Sequence, residues 1–384
     1  MAVETMKTTG IYIHIPFCVA KCSYCDFLSF PMEHPEEYVH ALIDEMNHTE
    51  INSDIDTVYI GGGTPTALPS PLLCEILDAV KIFPLLPDVE ITVEANPGTL
   101  TPSYLSALKS HGANRLSLGL QTTHPHLLRA ISRIHTKADF IESHHAARAA
   151  GFANINIDLM FALPGQTTQE WHATLEEIIA LAPQHISAYS LTPAENTPLW
   201  DALENNQLHL PSDEIDREMY HHARKILAQT GYIQYEISNF AKLGFESRHN
   251  INCWKRIPYI GFGLGAHSFD GKNRWHNTED MAEYLHRAKR GAPHGRGGAE
   301  RDSFLPHSNK KKDFQSLTES EALSESIILG LRLTNGIPAE SIPSQFTVTI
   351  QRLITDGLLA EQNNNICLTP RGMDLANHIF TAFL

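Results

Sequence analysis

The sequence predicts an α/β protein in which a large partial (β/α) barrel is followed by a small C-terminal domain of winged-helix-like type. Three observations support this fold class. Short β-rich runs alternate with helical patterns through the first 240 residues, a Gly- and Lys/Arg-rich segment follows without periodicity, and the end of the chain combines helices with a short strand. Regular alternation of strands and helices is typical of parallel sheets with right-handed crossovers.

Six strands are predicted in the first half of the chain, separated by segments with helical periodicity. They cover residues 9–16, 57–60, 89–94, 115–120, 154–159 and 185–191, and a further strand is predicted at residues 232–237. Thr101-Pro102 and Ser212 supply N-caps for two helices, and Gly112 ends the first of them. Six or more such units suit a full or partial TIM-like barrel, with an open doubly wound sheet as the competing arrangement.

The basic Gly-rich segment divides the chain. Residues 1–288 are expected to form the (β/α) domain with its C-terminal extension, residues 289–313 a linker, and residues 314–384 the small domain. Within the small domain, helices are predicted at residues 319–333 and 341–359, a short strand begins at Ile366, and a last helix spans residues 369–384. This order favours a winged-helix-like structural or docking module.

Composition excludes several functional classes. The chain has 384 residues, and 29 basic against 44 acidic residues give a net charge of −15. Such a surface is a poor platform for nucleic acid, because phosphate binding needs Lys and Arg. No run of 18 apolar residues and no signal-peptide pattern is visible, so no membrane span is expected and a reducing cytoplasm is the expected compartment. Cys74 and Cys367 lie in apolar patterns and are expected to be buried.

Three of the six cysteines are clustered directly after the first predicted strand, as Cys18-x3-Cys22-x2-Cys25. Three thiolates on one loop can ligate three irons of a [4Fe–4S] cube, which leaves the fourth iron open for an exogenous ligand. A zinc site is the alternative, with His14 as the fourth ligand and a zinc-stabilised interaction protein as the function. The x3-then-x2 spacing fits a zinc knuckle badly, because knuckles normally use paired Cys-x2-Cys units.

The cysteine spacing after a first strand resembles the radical S-adenosylmethionine (SAM) superfamily. In that superfamily the open iron binds the amino and carboxylate groups of SAM, and an electron from the cluster cleaves SAM to a 5′-deoxyadenosyl radical. The longer string Tyr12-x-His14-x-Pro16-Phe17-Cys18 is similar to one branch, which contains oxygen-independent coproporphyrinogen III dehydrogenases and HemW-type heme chaperones. The resemblance extends over nearly the whole chain and implies a radical SAM barrel that holds a [4Fe–4S] cluster and SAM.

The same resemblance implies which residues line SAM, and most of them lie at or just after a predicted strand end. By position, they are Tyr12, Gly62, Gly63, Thr64, Glu94, Gln121, Arg133 and Asp158. Acidic side chains suit the ribose hydroxyls and the amino group of SAM, whereas an arginine suits its carboxylate. The consecutive glycines let the backbone approach the methionine end of SAM closely.

Two features separate the two functions within the branch. The dehydrogenases resemble Cys-x3-Cys-x2-Cys-x-Cys, whereas Phe27 stands at the last of these positions here. The dehydrogenases also carry a substantial N-terminal extension, whereas 17 residues precede Cys18 here. Both features imply a heme chaperone, which would bind heme and transfer it to an acceptor protein. The alternative is an oxygen-independent coproporphyrinogen III oxidase that acts in porphyrin biosynthesis.

A third feature concerns heme itself. The string His249-Asn250-Ile251-Asn252-Cys253-Trp254 resembles the H-N-x-x-Y-W string of the heme-binding branch, with Cys253 in place of Tyr. The resemblance implies heme contacts from His249, a candidate iron ligand, and from Trp254, an apolar face for the macrocycle. The alternative is that His249 hydrogen-bonds a loop and Trp254 belongs to the core. A heme-acceptor protein and an electron donor are the implied partners.

Overall fold

The computed structural model describes residues 8–291 and 314–384 and confirms an α/β fold. The strands are β1 (Thr9–Ile15), β2 (Ile55–Gly62), β3 (Leu85–Ala95), β4 (Arg115–Gln121), β5 (Asn154–Phe161), β6 (His185–Ser190), β7 (Ile233–Gln234), β8 (Asn239–Ala241), β9 (Tyr259–Phe262), β10 (His267–Phe269), β11 (Asn273–His276), β12 (Gln315–Ser316), β13 (Ile337–Pro338), β14 (Leu359–Gln362) and β15 (Asn365–Leu368). The first twelve form one sheet, in the order β12-β11-β10-β9-β1-β2-β3-β4-β5-β6-β8-β7.

Strands β1 to β6 run parallel as successive neighbours, and β9 adds a parallel partner on the other side of β1. The other strands of this sheet pair antiparallel towards its two ends. Within the described residues, the end strands β7 and β12 do not pair with each other, so the sheet stays open. The predicted parallel α/β architecture is confirmed in its partial form.

Helices connect the parallel strands in the first half of the chain, and further helices follow in the second half. They are α1 (Pro35–Asn47), α2 (Ser70–Ala79), α3 (Pro102–Ser110), α4 (Pro125–Ala130), α5 (Lys137–Ala149), α6 (Thr168–Ala180), α7 (Pro198–Glu204), α8 (Asp213–Gln229), α9 (Arg248–Trp254), α10 (Met281–Gly291), α11 (Glu319–Gly330), α12 (Thr347–Thr355), α13 (Pro370–Asp374) and α14 (Ala376–Thr381). The predicted caps are confirmed, because Thr101 Oγ1 accepts the Tyr104 N–H at 3.1 Å and Ser212 Oγ accepts the Ile215 N–H at 3.4 Å.

The first strand shows how the sheet separates its two faces. Ile11, Ile13 and Ile15 are fully buried in the apolar core, whereas Tyr12 and His14 alternate with them and contact each other. This follows from the two-residue period of a strand, which sends successive side chains to opposite faces. One face of the sheet therefore packs against apolar side chains, and the other carries polar groups that can meet a ligand.

The predicted strand at residues 232–237 is shorter than the sequence suggests. Strand β7 has two residues and pairs antiparallel with β8, so this segment is not another parallel unit. The cause is local: Glu236 Oε1 accepts the Ser238 N–H at 2.7 Å and the Asn239 side-chain amide at 2.6 Å. Such side-chain bonds to nearby groups stabilise a turn in place of a longer strand.

The C-terminal module (residues 314–384) contains the second sheet, in which β13 and β14 pair antiparallel with β15. Helices α11 to α14 accompany it, and the predicted last helix is divided into α13 and α14. Helix α10 extends to Gly291, three residues into the predicted linker, and the rest of that linker lies outside the described residues.

Two further expectations concern burial and the membrane. Cys74 and Cys367 are 7% and 4% exposed, which confirms that both are buried. In the described part of the chain, every helix is too short or too polar to cross a bilayer.

Candidate functional site

The three clustered cysteines lie on the loop between β1 and α1, at the carboxyl end of the parallel strands. The base of this loop is closed by two backbone hydrogen bonds, from the Cys18 N–H to the Phe30 oxygen (3.0 Å) and from the Phe30 N–H to the Pro16 oxygen (2.7 Å). Cys18, Cys22 and Cys25 are all free thiols of intermediate exposure. The loop therefore presents three sulfur ligands from one short, anchored segment.

The glycines after β2 pack beneath this loop. The Gly63 N–H donates to the Ile15 oxygen at 2.8 Å, and a Cβ atom at Gly63 would lie 2.6 Å from the Phe17 oxygen and 3.1 Å from Cys18 Sγ. At Gly62, where φ is +107°, a Cβ atom would lie 2.5 Å from His14 Nδ1. Only glycine permits this approach without displacing its neighbours.

Arg133 links the cysteine loop to the ends of β3 and β4. Its guanidinium lies 3.5 Å from Cys22 Sγ, donates to Asn96 Oδ1 at 2.9 Å and also contacts the Gly119 oxygen. Its Nε is buried and has no hydrogen-bond partner in the structure. The positive charge is therefore fixed beside Cys22, with one donor still unused.

Thr64 and Asn96 complete this contact region. Thr64 Oγ1 lies 3.5 Å from Cys18 Sγ and accepts the Asn96 side-chain amide at 2.8 Å. Asn96 is not among the residues predicted to line SAM, although its position just after β3 was a usable signal. These groups line a small open cleft together with Cys22, Arg133 and the apolar side chain of Ile134.

Two partly buried carboxylates, those of Glu94 and Asp158, lie on the polar face of the sheet. Glu94 Oε1 accepts the Tyr59 hydroxyl at 2.6 Å, and Asp158 accepts the Ser117 hydroxyl and the Asn156 amide, both at 2.8 Å. Burial, together with the nearby negative charge of Asp158, raises the pKa of Glu94 to about 7. The Glu94 carboxyl group therefore changes its protonation state near physiological pH.

Tyr12 and Gln121 also reach this region. The Tyr12 hydroxyl lies 3.0 Å from His14 Nδ1, and its ring stacks on Tyr59 with centroids 6.4 Å apart. Gln121 has φ of +73° at a register shift in β4, and its amide nitrogen would be 3.3 Å from a Cβ atom at Gly119. A residue with a left-handed backbone conformation next to a β-bulge changes the direction in which its side chain points. Tyr59 and Gly119 are contacts that the sequence did not indicate.

His249 lies away from the cysteine loop. Its Nδ1 is 3.0 Å from Thr57 Oγ1, near the start of β2, and its ring stacks on Tyr59 with centroids 5.1 Å apart. The side chain is 7% exposed, and burial, with the positive charge of Arg115, lowers its pKa to about 4. His249 is therefore an enclosed imidazole whose hydrogen-bond partner belongs to a strand and not to a loop.

Trp254 ends α9, where the C-terminal module meets the large domain. The Arg332 guanidinium lies 4.2 Å from the centre of its ring, and the indole Nε1 is buried without a hydrogen-bond partner. Beside it, Cys253 is of intermediate exposure, and burial raises the pKa of its thiol to about 11. A protonated thiol is a poor metal ligand at neutral pH.

The donor set fits a [4Fe–4S] cluster better than a single zinc ion. No group of three His, Cys, Asp or Glu side chains converges on one metal position in the described residues. His14 is not free as a fourth ligand, because its Nδ1 meets the Tyr12 hydroxyl and its Nε2 meets the Leu28 oxygen at 2.9 Å. A cubane instead takes one thiolate per iron, and Arg133 Nη1 lies 3.5 Å from one of the three sulfurs, Cys22 Sγ.

The chain matches known proteins over almost its full length. Residues 12–178 match the Radical SAM superfamily, and residues 317–375 match the HemN C-terminal domain. The chain is 36% identical to the heme chaperone HemW of Bacillus subtilis (strain 168), over 97% of this chain and 98% of that protein. It is 34% identical to the heme chaperone HemW of Lactococcus lactis, over 98% of both chains.

A solved structure supports the fold. Coproporphyrinogen III oxidase (HemN) from Escherichia coli, a radical SAM enzyme, superposes with a TM-score of 0.80 and 22% identity, over 100% of this chain and 91% of that one. At this identity the likeness concerns the fold. It extends the correspondence beyond the barrel to the C-terminal module.

Proposed function

The chain belongs to the HemW family of heme chaperones within the radical SAM superfamily, and from this premise we propose that it binds heme and transfers it to an acceptor protein. Membership of the superfamily implies a [4Fe–4S] cluster and SAM. The similarity to named heme chaperones over almost the full length of the chain carries the proposal. The acceptor and the electron donor are taken to be cytoplasmic proteins.

Cys18, Cys22 and Cys25 are the proposed cluster ligands. A cluster held by these three residues would supply the electron for the reductive cleavage of SAM. The contact between the Arg133 guanidinium and Cys22 Sγ supports this assignment, because hydrogen bonds to the ligand sulfurs are one of the ways in which a protein tunes an iron–sulfur cluster. The unused Arg133 Nε would then donate to the carboxylate of SAM.

The remaining proposed SAM contacts have distinct tasks. Glu94 and Asp158 offer carboxylate oxygens to hydroxyl and amino groups of SAM, and the Tyr59 hydroxyl holds Glu94 in position. Gly62, Gly63 and Thr64 bring the backbone after β2 beneath the cysteine loop. The list of proposed SAM contacts also includes Tyr12 and Gln121, which reach the same region of the polar face.

His249 and Trp254 remain the candidate heme contacts from the sequence. His249 would reach a heme iron only if α9 moved, because its ring is enclosed between Thr57 and Tyr59. Trp254 lies closer to the surface, at the edge of the C-terminal module. A His249→Gln variant that keeps the wild-type Soret spectrum would remove His249 from the heme ligands.

The deciding experiment uses one anaerobically reconstituted sample for two assays. Titration with hemin should give a saturable Soret shift, and incubation with coproporphyrinogen III under reducing conditions should give no protoporphyrinogen. Lack of a Soret shift would overturn the heme-chaperone function. Conversion of coproporphyrinogen III would instead support the oxidase alternative, and zinc without iron and sulfide would support the zinc-stabilised interaction protein.

A further inference from the structure

Buried polar atoms without partners accumulate where α9 meets the C-terminal module. Five atoms in this region are buried and have no hydrogen-bond partner: Glu236 Oε2, Trp254 Nε1, Arg256 Nη2, Arg274 Nε and Arg332 Nε. Leaving a buried polar group unpaired is energetically unfavourable. Four of the five atoms are N–H donors, so unused donors outnumber unused acceptors in this region.

Three arginines supply most of these donors, and we refer to Arg256, Arg274 and Arg332 as the arginine cluster. Arg256 Nε and Arg274 Nη2 each lie 2.6 Å from the carboxylate of Glu325, which is on α11. The same two guanidinium groups contact the ring of Phe269, at 5.0 and 4.9 Å from its centroid. Two arginines thus already form ion pairs with one carboxylate.

The third arginine extends the cluster towards Trp254. Arg332 lies over the indole ring and pairs with Glu236 Oε2 at 3.6 Å. Glu236 is fully buried, and burial raises the pKa of its carboxyl group. The pair is therefore long and incompletely hydrogen-bonded, which leaves donor capacity next to the tryptophan.

Charge distinguishes this region from the rest of the protein. Three guanidinium groups face two carboxylates, one of which is a buried acid with a raised pKa, while the whole chain carries −15. An anionic ligand would be repelled by most of the surface and attracted here. Arginine is suited to such a role, because its planar fork binds carboxylates in a bidentate manner.

We propose that the arginine cluster is a carboxylate-binding site that takes the propionate groups of heme, which displace Glu325 from Arg256 and Arg274. This inference rests on the proposed heme-binding function and assigns the part of the cargo that the protein recognises. The macrocycle would then lie beside Trp254, at the junction with the C-terminal module. Recognition through the propionates does not require His249 to leave its enclosed position.

The test compares hemin with hemin dimethyl ester, in which both propionates are neutral. The wild-type protein is titrated with each probe, alongside the double variant Arg256→Gln/Arg274→Gln and the control Arg352→Gln, an exposed arginine on α12. We expect the wild type and the control to prefer hemin at least tenfold, and the double variant to lose this preference. Glu325→Gln should tighten hemin binding severalfold, since it removes the competing charge.

The outcomes distinguish the carboxylate site from the chaperone function on which it rests. Saturable hemin binding that is equally tight for the ester and unchanged in both variants would overturn the carboxylate site and leave the chaperone function standing. Failure of the wild type to bind hemin at all would overturn both. The single variant Glu325→Gln keeps all three arginines, so it provides a test even if the double variant misfolds. Tighter hemin binding by this variant at an unchanged melting temperature supports the carboxylate site. Unchanged hemin binding contradicts it.

Discussion

The guanidinium of Arg133 lies 3.5 Å from the sulfur of Cys22, although 111 residues separate the two in the chain. The contact joins the segment after α4 to the cysteine loop and fixes a positive charge beside one proposed cluster ligand. A second donor of the same side chain, Nε, is buried and unpaired. This arrangement makes Arg133 the residue through which cluster and SAM can be tested separately.

Arg133→Gln should weaken SAM binding more than cluster assembly. The substitution removes a charge-assisted hydrogen bond, which is worth about 1.5–3 kcal/mol, and hence about 10- to 100-fold in affinity. Iron and sulfide content and the cluster absorbance should stay near wild type, while SAM titration of the reduced cluster should shift to higher concentration. Arg129→Gln, a nearby exposed arginine, is the matched control. Equal SAM affinity in the two variants would contradict the assignment.

Cys22→Ala should abolish the cluster absorbance and SAM cleavage, because a cubane held by two thiolates lacks one of its protein ligands. The matched control is Cys74→Ala, which removes a buried thiol from α2 and should keep both properties. Both proteins are reconstituted anaerobically and compared by absorbance and by 5′-deoxyadenosine formation. A wild-type spectrum from the Cys22 variant would show that the ligand assignment is wrong.

Glu94 should make SAM binding dependent on pH. Its pKa is raised from 4.5 to about 7, so the group is largely protonated at pH 6 and ionised at pH 8. Because the ionised form is the better acceptor for hydroxyl and amino groups, SAM affinity should fall by up to about tenfold per pH unit below pH 7. Glu94→Gln should flatten this profile, whereas the exposed control Glu204→Gln should not.

The same shift predicts an opposite effect on the stability of the SAM-free protein. A carboxyl group with a raised folded-state pKa contributes stability that is complete below pH 4.5 and is lost as the pH rises through about 7. A difference of about 2.5 pKa units corresponds to about 3 kcal/mol. Urea unfolding at pH 5 and pH 8 should show Glu94→Gln stabilised relative to wild type at pH 8 and not at pH 5.

His249 should contribute to acid unfolding with the opposite sign. Its pKa is lowered from 6.5 to about 4, so its contribution to stability is present above pH 6.5 and is lost as the pH falls towards 4. His249→Phe keeps a ring against Tyr59 but does not titrate, and the free energy of unfolding should therefore depend less on pH in this range. The exposed control His378→Asn should leave the slope unchanged. An unchanged slope in His249→Phe would mean that the imidazole is not held neutral.

Gly63→Ala should disturb the cysteine loop. A Cβ atom there would lie 2.6 Å from the Phe17 oxygen, which is backbone and has little freedom to move. The loop should shift, with a stability loss of about 1–3 kcal/mol and poorer cluster incorporation. Gly151→Ala is the control: its φ of +86° carries strain of about 1 kcal/mol, but nothing lies within 4 Å of the added methyl group. Cluster yield, normalised to folded protein, distinguishes the two.

The sequence predicted the parallel strands and the polar residues after them because both signals are local. The two-residue period identified β1, and the strand ends brought Glu94 and Asp158 onto one polar face. The enclosure of His249 was not predictable, since it depends on contact with Thr57, 192 residues away. Motif similarity indicated that the segment from His249 to Trp254 contributes to function, but it could not indicate the direction in which the side chains of this segment point.

The arginine cluster was likewise not predictable from the sequence. Arg256, Arg274 and Arg332 come from separate segments, and none of them forms a motif with its neighbours in the chain. Their convergence depends on the position of α11 against α9, which brings Glu325 between two of them. A single sequence contains no period or spacing from which such a packing of distant elements follows.

The placement of α9 has a consequence for how other proteins can approach this one. His249 contacts the amino-terminal part of β2 at Thr57, whereas the cysteine loop packs on the glycines that end the same strand. Five residues of strand separate these points, which corresponds to about 16 Å. Two partner proteins that contacted these two places would approach opposite ends of the parallel strands, and they would not compete for one surface.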